Sequence, residues 1–388
     1  MNGTDCRGTA VVVGAGIGGL ATAVALTARG WRVRVLERAA EFGEVGAGLS
    51  LWPNGIRALD ALGLGDRVRE RGLADIQAGI RDPSGRWLSR LDTAEFARRY
   101  GLPVMIHRAR LAEVLLSAVP RSSLVPGTSV RQVRPRGSHV EVVHDGGMER
   151  ADLLVGADGI GSTVRRAIWP SAPEPRYAGY TAWRVIADPG APLREGGETF
   201  GRGQRIGFAP LPDGRVYLFA AANAPERGCG AGDQLTELRR RFGGWHDPIP
   251  RLLAAAEGAA VLRHDIRELP PLASYVEGRV ALVGDAAHAM TPNLGQGANL
   301  ALEDAVTLAA LLDTVPAVPE ALAAYDRNRR PRARGIAARS HRLGKVAQWR
   351  FPPAVALRDR ALRLAPQRSL LRSLAPVLSW RPPEVPLR

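Results

Sequence analysis

Six residues near the start of the chain, Gly14-Ala15-Gly16-Ile17-Gly18-Gly19, have the types and spacing to hold a phosphate-bearing cofactor. They lie between an apolar run at 9–13 that reads as a buried strand and an alanine-rich stretch at 20–29 that reads as a helix. In the G-x-G-x-x-G pattern the first glycine permits a tight turn and the second lets backbone approach a pyrophosphate. The last lets the helix pack close to the strand. The helix then presents free N–H groups and the positive end of its dipole to that pyrophosphate. A second strand, "WRVRVLER", brings Glu37, whose carboxylate can accept hydrogen bonds from an adenosine ribose. FAD and a nicotinamide dinucleotide satisfy this much equally.

Two later segments bear on the choice. "ADLLVGADGIGSTVRRAIW" (151–169) reads as strand, turn and helix. Asp158 falls just beyond the strand's carboxyl end, where open α/β sheets bind ligands, and Ser162 falls at a helix N-cap. "GDAAHAMTPNLGQGANLALEDA" (284–305) follows the apolar "RVALV" and places Asp285 at a strand end. Its turn lacks G-x-G-x-x-G, so it is not a second dinucleotide fingerprint. It supplies a carboxylate for polyol hydroxyls and glycines that let backbone lie against a flat ring. It also supplies a helix N-terminus, near Gly297, that favours negative charge. FAD has a ribityl chain and a ring that becomes anionic on reduction; NAD has neither. Arg108 opens a helix at 107–120, where a cation opposes the helix dipole, so it is expected to serve another partner such as phosphate.

In this order and spacing, GAGIGG, ADGIGSTVR and GDAAHAMTPNLGQGANLALEDA resemble the FAD-dependent aromatic hydroxylase family, the single-component flavoprotein monooxygenases of the para-hydroxybenzoate hydroxylase fold. The resemblance spans nearly the whole chain. It implies an α/β architecture with a Rossmann-like FAD-binding domain and an inserted antiparallel β-sheet substrate domain. The first would comprise 1–75, 100–170 and 271–388, including C-terminal helices; the second would comprise 76–99 and 171–270. It further implies non-covalent FAD, NAD(P)H as a transient reductant without a Rossmann domain of its own, and O2 as co-substrate. By the same resemblance Gly14, Ala15, Gly16, Ile17, Gly18 and Gly19 hold the pyrophosphate, with Glu37 and its neighbour Arg38 at the adenosine end. Arg108 sits near the pyrophosphate and ribityl region, Val130 touches the adenine side, and Asp158 marks a segment used for both FAD and NAD(P)H. Asp285 binds the ribityl chain, and Pro292, Gly295, Gly297, Ala298 and Asn299 line the flavin ring.

The substrate side is read from strand patterns. "QRIGFAPLPDGRVYLFAAAN" reads as a hairpin turning at "PDG", flanked by the strands in "RYAGYTAWRVIADP" and "AAVLRHDIRELPPL". Alternation puts Arg205, Gly207 and Ala209 on one face, and Tyr217 and Phe219 on one face of the partner strand. Arg205, for an anionic group, and Tyr217, as a hydrogen-bond donor, are the leading catalytic candidates; Trp183 and Arg184 come next. His288, within the flavin loop, is expected to support the loop rather than act as a base. There is no Ser/His/Asp arrangement and no metal-ligand spacing. The implied reaction inserts one atom of O2 into an aromatic or other electron-rich small molecule through a flavin C4a-hydroperoxide. Epoxidation, Baeyer–Villiger insertion and oxidative decarboxylation are alternatives, as is a non-catalytic FAD-binding regulator.

Composition narrows the partners. With 45% hydrophobic and 23% charged residues over 388 positions, the chain is long enough for two domains and is ordinary for a globular enzyme. The net charge of +15 comes almost wholly from arginine, Lys345 being the only lysine, and the arginines are spread along the chain as codon bias would spread them. Nucleic-acid binding is not expected, because no binding motif accompanies the charge. Membrane contact through the basic C-terminal tail is also not expected; its helices are read as packing on the FAD domain. Two cysteines, Cys6 and Cys229, make no disulfide framework, which points to a cytoplasmic, reduced location; a monomer or homodimer is expected.

Overall fold

A computed structural model of the protein describes residues 7–43, 47–74, 79–193, 195–228 and 232–384. Cys6 and Cys229 therefore lie outside the described residues. The chain opens with the strand Gly8–Val13, whose last four residues are all buried. It pairs in parallel with Trp31–Leu36 on one side and Leu153–Gly156 on the other. Beyond Leu153–Gly156 the sheet continues with Val280–Leu282, and Leu124–Val125 forms the opposite edge. A short antiparallel strand, Val276–Glu277, completes six. Strands buried on both faces must be apolar throughout, which is why "AVVV" and "LLVG" read as continuous hydrophobic runs. The helices Ile17–Thr27 and Gly297–Thr314 pack over this sheet. A three-stranded antiparallel sheet, spanning Val130–Pro135, Val140–His144 and Gly147–Ala151, adds Val133, Val140 and Val142 to the same core.

A separate seven-stranded sheet gathers Leu262–Glu268, Arg176–Ala187, Val216–Asn223, Gln204–Pro210, Gly197–Phe200, Gly79–Arg81 and Trp87–Arg90, in that order. Alternation divides its two faces. Trp183, Val185, Ile206, Phe208, Leu218 and Ala220 point to one side, where the helices Gln234–Phe242 and Ile249–Ala254 cover them. Tyr217, Ala209, Ile186 and Phe219 point to the other, against Ala47 and Met105 beside the small sheet Gly48–Leu51, Val104–His107 and Leu73–Ala74.

The helix Val318–Ala347, 30 residues and about 45 Å long, ties the two parts together. At one end Tyr325 donates to the Leu282 carbonyl of the parallel sheet at 2.9 Å. At the other, His341 Nδ1 lies 3.0 Å from the Glu268 carboxylate of the large sheet. That length carries the chain beyond the parallel sheet, so the next helix, Pro352–Leu364, does not pack where the sequence reading placed it. It docks instead on the large sheet's margin, where buried Arg358 donates to the Gly201 carbonyl at 3.2 Å. The last helix, Gln367–Leu378, returns toward the parallel-sheet part: Tyr100 and Arg57 donate to the carbonyls of Leu371 and Leu378.

Candidate active site

The glycine loop is built by two glycines and leaves space at a third. Gly14 sits at φ +101, and a Cβ there would lie 2.5 Å from the Ala157 carbonyl oxygen. A Cβ on Gly19 would fall 1.9 Å from the carbonyl oxygen of Gly14. A Cβ on Gly16, by contrast, would meet nothing within 4 Å. The helix Ile17–Thr27 begins there with no side-chain cap and no acid in its first turn. Glu37 braces the loop: its carboxylate accepts from the Ala15 N–H at 2.7 Å and the Ala39 N–H at 2.9 Å. A carboxylate has lone pairs left after two such bonds. Arg38 is exposed beside it. Thr128 donates to the Glu37 carbonyl at 2.7 Å, which brings half-buried Val130 to the same end. Arg108 opens the helix Arg108–Ser117 with its N–H on the Ala47 carbonyl and its side chain exposed.

Asp158 caps its own helix, Thr163–Ile168, accepting from Ser162 Oγ at 2.5 Å and the Thr163 N–H at 2.6 Å. Buried Arg165 then donates to the Ala286 carbonyl at 2.8 Å and the Ile160 carbonyl at 2.5 Å, joining this turn to the segment after Asp285. Sequence reasoning missed Arg165, because nothing in a single chain distinguishes it from the exposed Arg166 that follows.

Asp285 is exposed, and its Oδ1 lies 3.9 Å from where a Cβ of Gly297 would stand. The carboxylate thus sits by the start of Gly297–Thr314, a helix that also lacks a side-chain cap and a first-turn acid. Pro292 and Gly295 are exposed, while Gly297 and Ala298 are half-buried. Gly295 adopts φ +60, with Trp52 Nε1 3.0 Å from its would-be Cβ. Asn299 departs from expectation. Its side chain is wholly buried, accepting from the Trp52 N–H at 2.9 Å and donating to the Gly295 carbonyl at 2.8 Å. The side-chain amide is therefore used to brace the loop.

Beneath the loop lies a buried charge network. His288 Nε2 donates to Asp304 at 2.6 Å, and Asp304 also accepts from the Gly284 N–H at 3.0 Å and Arg329 Nε at 2.7 Å. Arg329 pairs with Glu303 as well, and Glu303 accepts from Asn54 and Arg332. Burial opposes the charge on Asp304, but His288 and Arg329 outweigh it and hold the carboxyl well below the usual range. With its Nε2 committed to Asp304, His288 serves the loop.

On the facing sheet, Arg205 stands opposite Ala221, Gly207 opposite Phe219 and Ala209 opposite Tyr217, so all share one face. Tyr217 packs on Gly48, whose Cβ would lie 2.5 Å from its ring, and burial raises its hydroxyl pKa above the usual value. Arg205 is buried, donating to Glu198 at 2.7 Å and also to Asn293 Oδ1 of the flavin loop. Its charge thus has a protein partner, and the side chain links sheet to loop. Arg184 lies on the same face, opposite Phe219, so Trp183 must point the other way. Trp183 is buried among the covering helices with its Nε1 on Gln234 at 2.9 Å, which removes it from the site. His264, which sequence reasoning passed over, stands opposite Ala182 on the site face. His264 is exposed at its outer edge, and partial desolvation by its neighbours, with the positive charges of Arg184 and Arg108, lowers its imidazole pKa from the ordinary value.

Helix N-termini gathered near the carboxyl ends of parallel strands, under the open face of an antiparallel sheet, define a nucleotide-binding α/β enzyme with a roofed site. The comparisons with known proteins are more specific. The FAD binding domain family matches residues 7–188 and 271–340. The chain is 41% identical over 362 residues to the aurachin C monooxygenase/isomerase of Stigmatella aurantiaca, covering 92% of this chain and 94% of that protein. It is 37% identical to the 3-amino-4-hydroxybenzoate 2-monooxygenase of Streptomyces cremeus, covering 91% of each. The crystal structure of Klebsiella pneumoniae HpxO with FAD and uric acid superposes with a TM-score of 0.88 at 31% identity, over 96% of both chains. The chain belongs to the FAD-dependent aromatic hydroxylase family, and it is an FAD-dependent monooxygenase.

Proposed function

We propose that the protein is an NAD(P)H-dependent FAD monooxygenase acting on a planar, nitrogen-bearing aromatic or heteroaromatic compound. One observation carries the cofactor part: two helices, starting at Ile17 and Gly297, both lack a cap and a first-turn acid, and Gly16 and Asp285 stand at their starts. The residues fit FAD. The open space at Gly16 suits the pyrophosphate, the remaining lone pairs of Glu37 suit the ribose, and Asp285 suits the ribityl hydroxyls. Arg38 and Val130 belong to the adenosine side of this reading, Arg108 to the pyrophosphate and ribityl region, and Asp158 acts through the turn it caps. Pro292, Gly295, Gly297 and Ala298 would lie against the ring, with the Gly297 helix end favouring its negative charge when reduced. FAD, once reduced by the nicotinamide nucleotide, supplies the oxygen activation, expected at its C4a, that passes one atom of O2 to substrate and one to water.

The substrate class rests on the relatives, which are named for an aminohydroxybenzoate or were solved with uric acid. In this chain a neutral His264 would accept a proton from a substrate hydroxyl or ring N–H, Tyr217 would donate a hydrogen bond, and Arg205 would position the loop through Asn293. A relative named both monooxygenase and isomerase favours a second outcome, oxygen transfer followed by rearrangement. Both readings are tested by a panel of such compounds, following NADH and NADPH oxidation with mass spectrometry of the products. Substrate-stimulated oxidation with a product heavier by one oxygen supports the proposal. Protein that takes up no FAD, or FAD-loaded protein that no panel member stimulates, would end it.

A further inference from the structure

The helix Pro352–Leu364 docks on the large sheet through Val355 and Arg358, both buried. With 3.6 residues per turn, the line opposite those two runs through Pro353, Leu357, Arg360 and Leu364. A helix that simply covers a sheet presents charge there. This one presents Leu357, 65% exposed, and Leu364, 70% exposed, with Phe351, also 65% exposed, at its start. Exposed arginines lie on the ridge and on the segments that flank it in the chain: Arg360 on the helix, Arg350 before it, and Arg368 and Arg372 after it. Asp359 is the sole acid between residues 350 and 381, and it is already paired with Arg358.

Exposed apolar side chains of this size mark an interaction surface. The arginines select its partner. A second copy would set the same uncompensated charges against each other across a two-fold contact. A bilayer bearing anionic headgroups accepts both parts, the leucines entering the acyl boundary while guanidinium groups meet lipid phosphates. We propose that this helix adsorbs the enzyme to anionic phospholipid surfaces as a peripheral anchor. The tail's amphipathic character is visible in the sequence, but its orientation is not, and orientation is what turns a basic surface helix into an anchor.

Cosedimentation of the FAD-loaded full chain with vesicles of phosphatidylglycerol and phosphatidylethanolamine, beside vesicles of phosphatidylcholine alone, tests this. Binding is expected on the anionic vesicles and should weaken as salt rises. Leu357→Asp combined with Leu364→Asp should lower partitioning about tenfold or more, with Tm and FAD content unchanged. Arg360→Glu with Arg368→Glu should weaken binding to the anionic vesicles in the same direction. The proposal is overturned if the parent fails to bind anionic vesicles at low salt, or if the leucine variant binds as well as the parent. It is equally overturned if that variant converts a dimer to a monomer in sedimentation velocity while vesicle binding persists, because the face would then cover a second copy.

Discussion

Gly14 and Gly16 stand two residues apart and meet different constraints. Gly14 needs a positive φ and close approach to Ala157, so Gly14→Ala should destabilise the fold by about 1–3 kcal/mol, read as a lower Tm of the FAD-free protein. A methyl on Gly16 meets no protein atom. Gly16→Ala should therefore leave that Tm unchanged and weaken FAD binding by about tenfold or more, measured by flavin fluorescence titration. Equal loss of Tm in the two variants would mean that the space at Gly16 is not a cofactor space. Asp285→Ala should likewise weaken FAD binding, by about 10–100-fold, since it removes a charged hydrogen-bond acceptor. Retention unchanged by that substitution would contradict the ribityl assignment. Arg205→Ala should spare FAD affinity and lower kcat/KM about 10–100-fold, because the sheet loses its hold on the loop at Asn293.

At the level of elements, the helix Gly297–Thr314 holds the flavin loop through Asp304, Glu303 and Arg329. Asp304→Asn leaves the Arg329 charge buried with half its partners, and should cost about 3–5 kcal/mol in denaturant unfolding. A carboxylate with a depressed folded-state pKa contributes stability above its unfolded pKa and loses it as pH falls through the folded value. Asp304 and Glu237 both behave in this way. Glu237, in the helix Gln234–Phe242, is held at about 2 from an ordinary 4.5, chiefly by hydrogen bonds from Arg240 and Arg241. Glu237→Gln should flatten the stability profile between those two pH values, and an unchanged acid limb would refute the linkage. Most of these elements were legible in the sequence: the strand–glycine–helix at the start, the Asp158 turn with its Ser162 cap, the "PDG" hairpin, and the alternation that groups Arg205 with Ala209 and Tyr217 with Phe219. Those features are local, set by periodicity and turn chemistry. The side-chain partners of Asn299, Trp183, Arg165 and His264 were not legible in the sequence, because they depend on which distant segment lies against each residue. Trp183 shows the limit well: the sequence offers it together with Arg184, and only the paired register shows that the two adjacent residues face opposite sides, with Trp183 toward the helices.

The molecule as a whole joins a cofactor-binding sheet to a roof sheet, and Val318–Ala347 spans both, from Tyr325 on Leu282 to His341 on Glu268. Nothing in the sequence predicts that span, which places the Pro352–Leu364 helix on the roof's margin with its leucines outward. No helix among the described residues is long and apolar enough to cross a membrane, so any bilayer contact by these helices is made at the surface. In the proposed reading, substrate would lie between the loop at 292–295 and the sheet face bearing Tyr217, Phe219 and Arg184. The central claim is oxygen transfer from O2 to a bound aromatic compound at a flavin. The direct test is turnover of FAD-loaded enzyme with NAD(P)H under oxygen-18 gas, using whichever panel compound stimulates oxidation. The account predicts one labelled atom in the product. A product labelled only from water, or oxygen consumed solely to hydrogen peroxide at a rate indifferent to substrate, would contradict it.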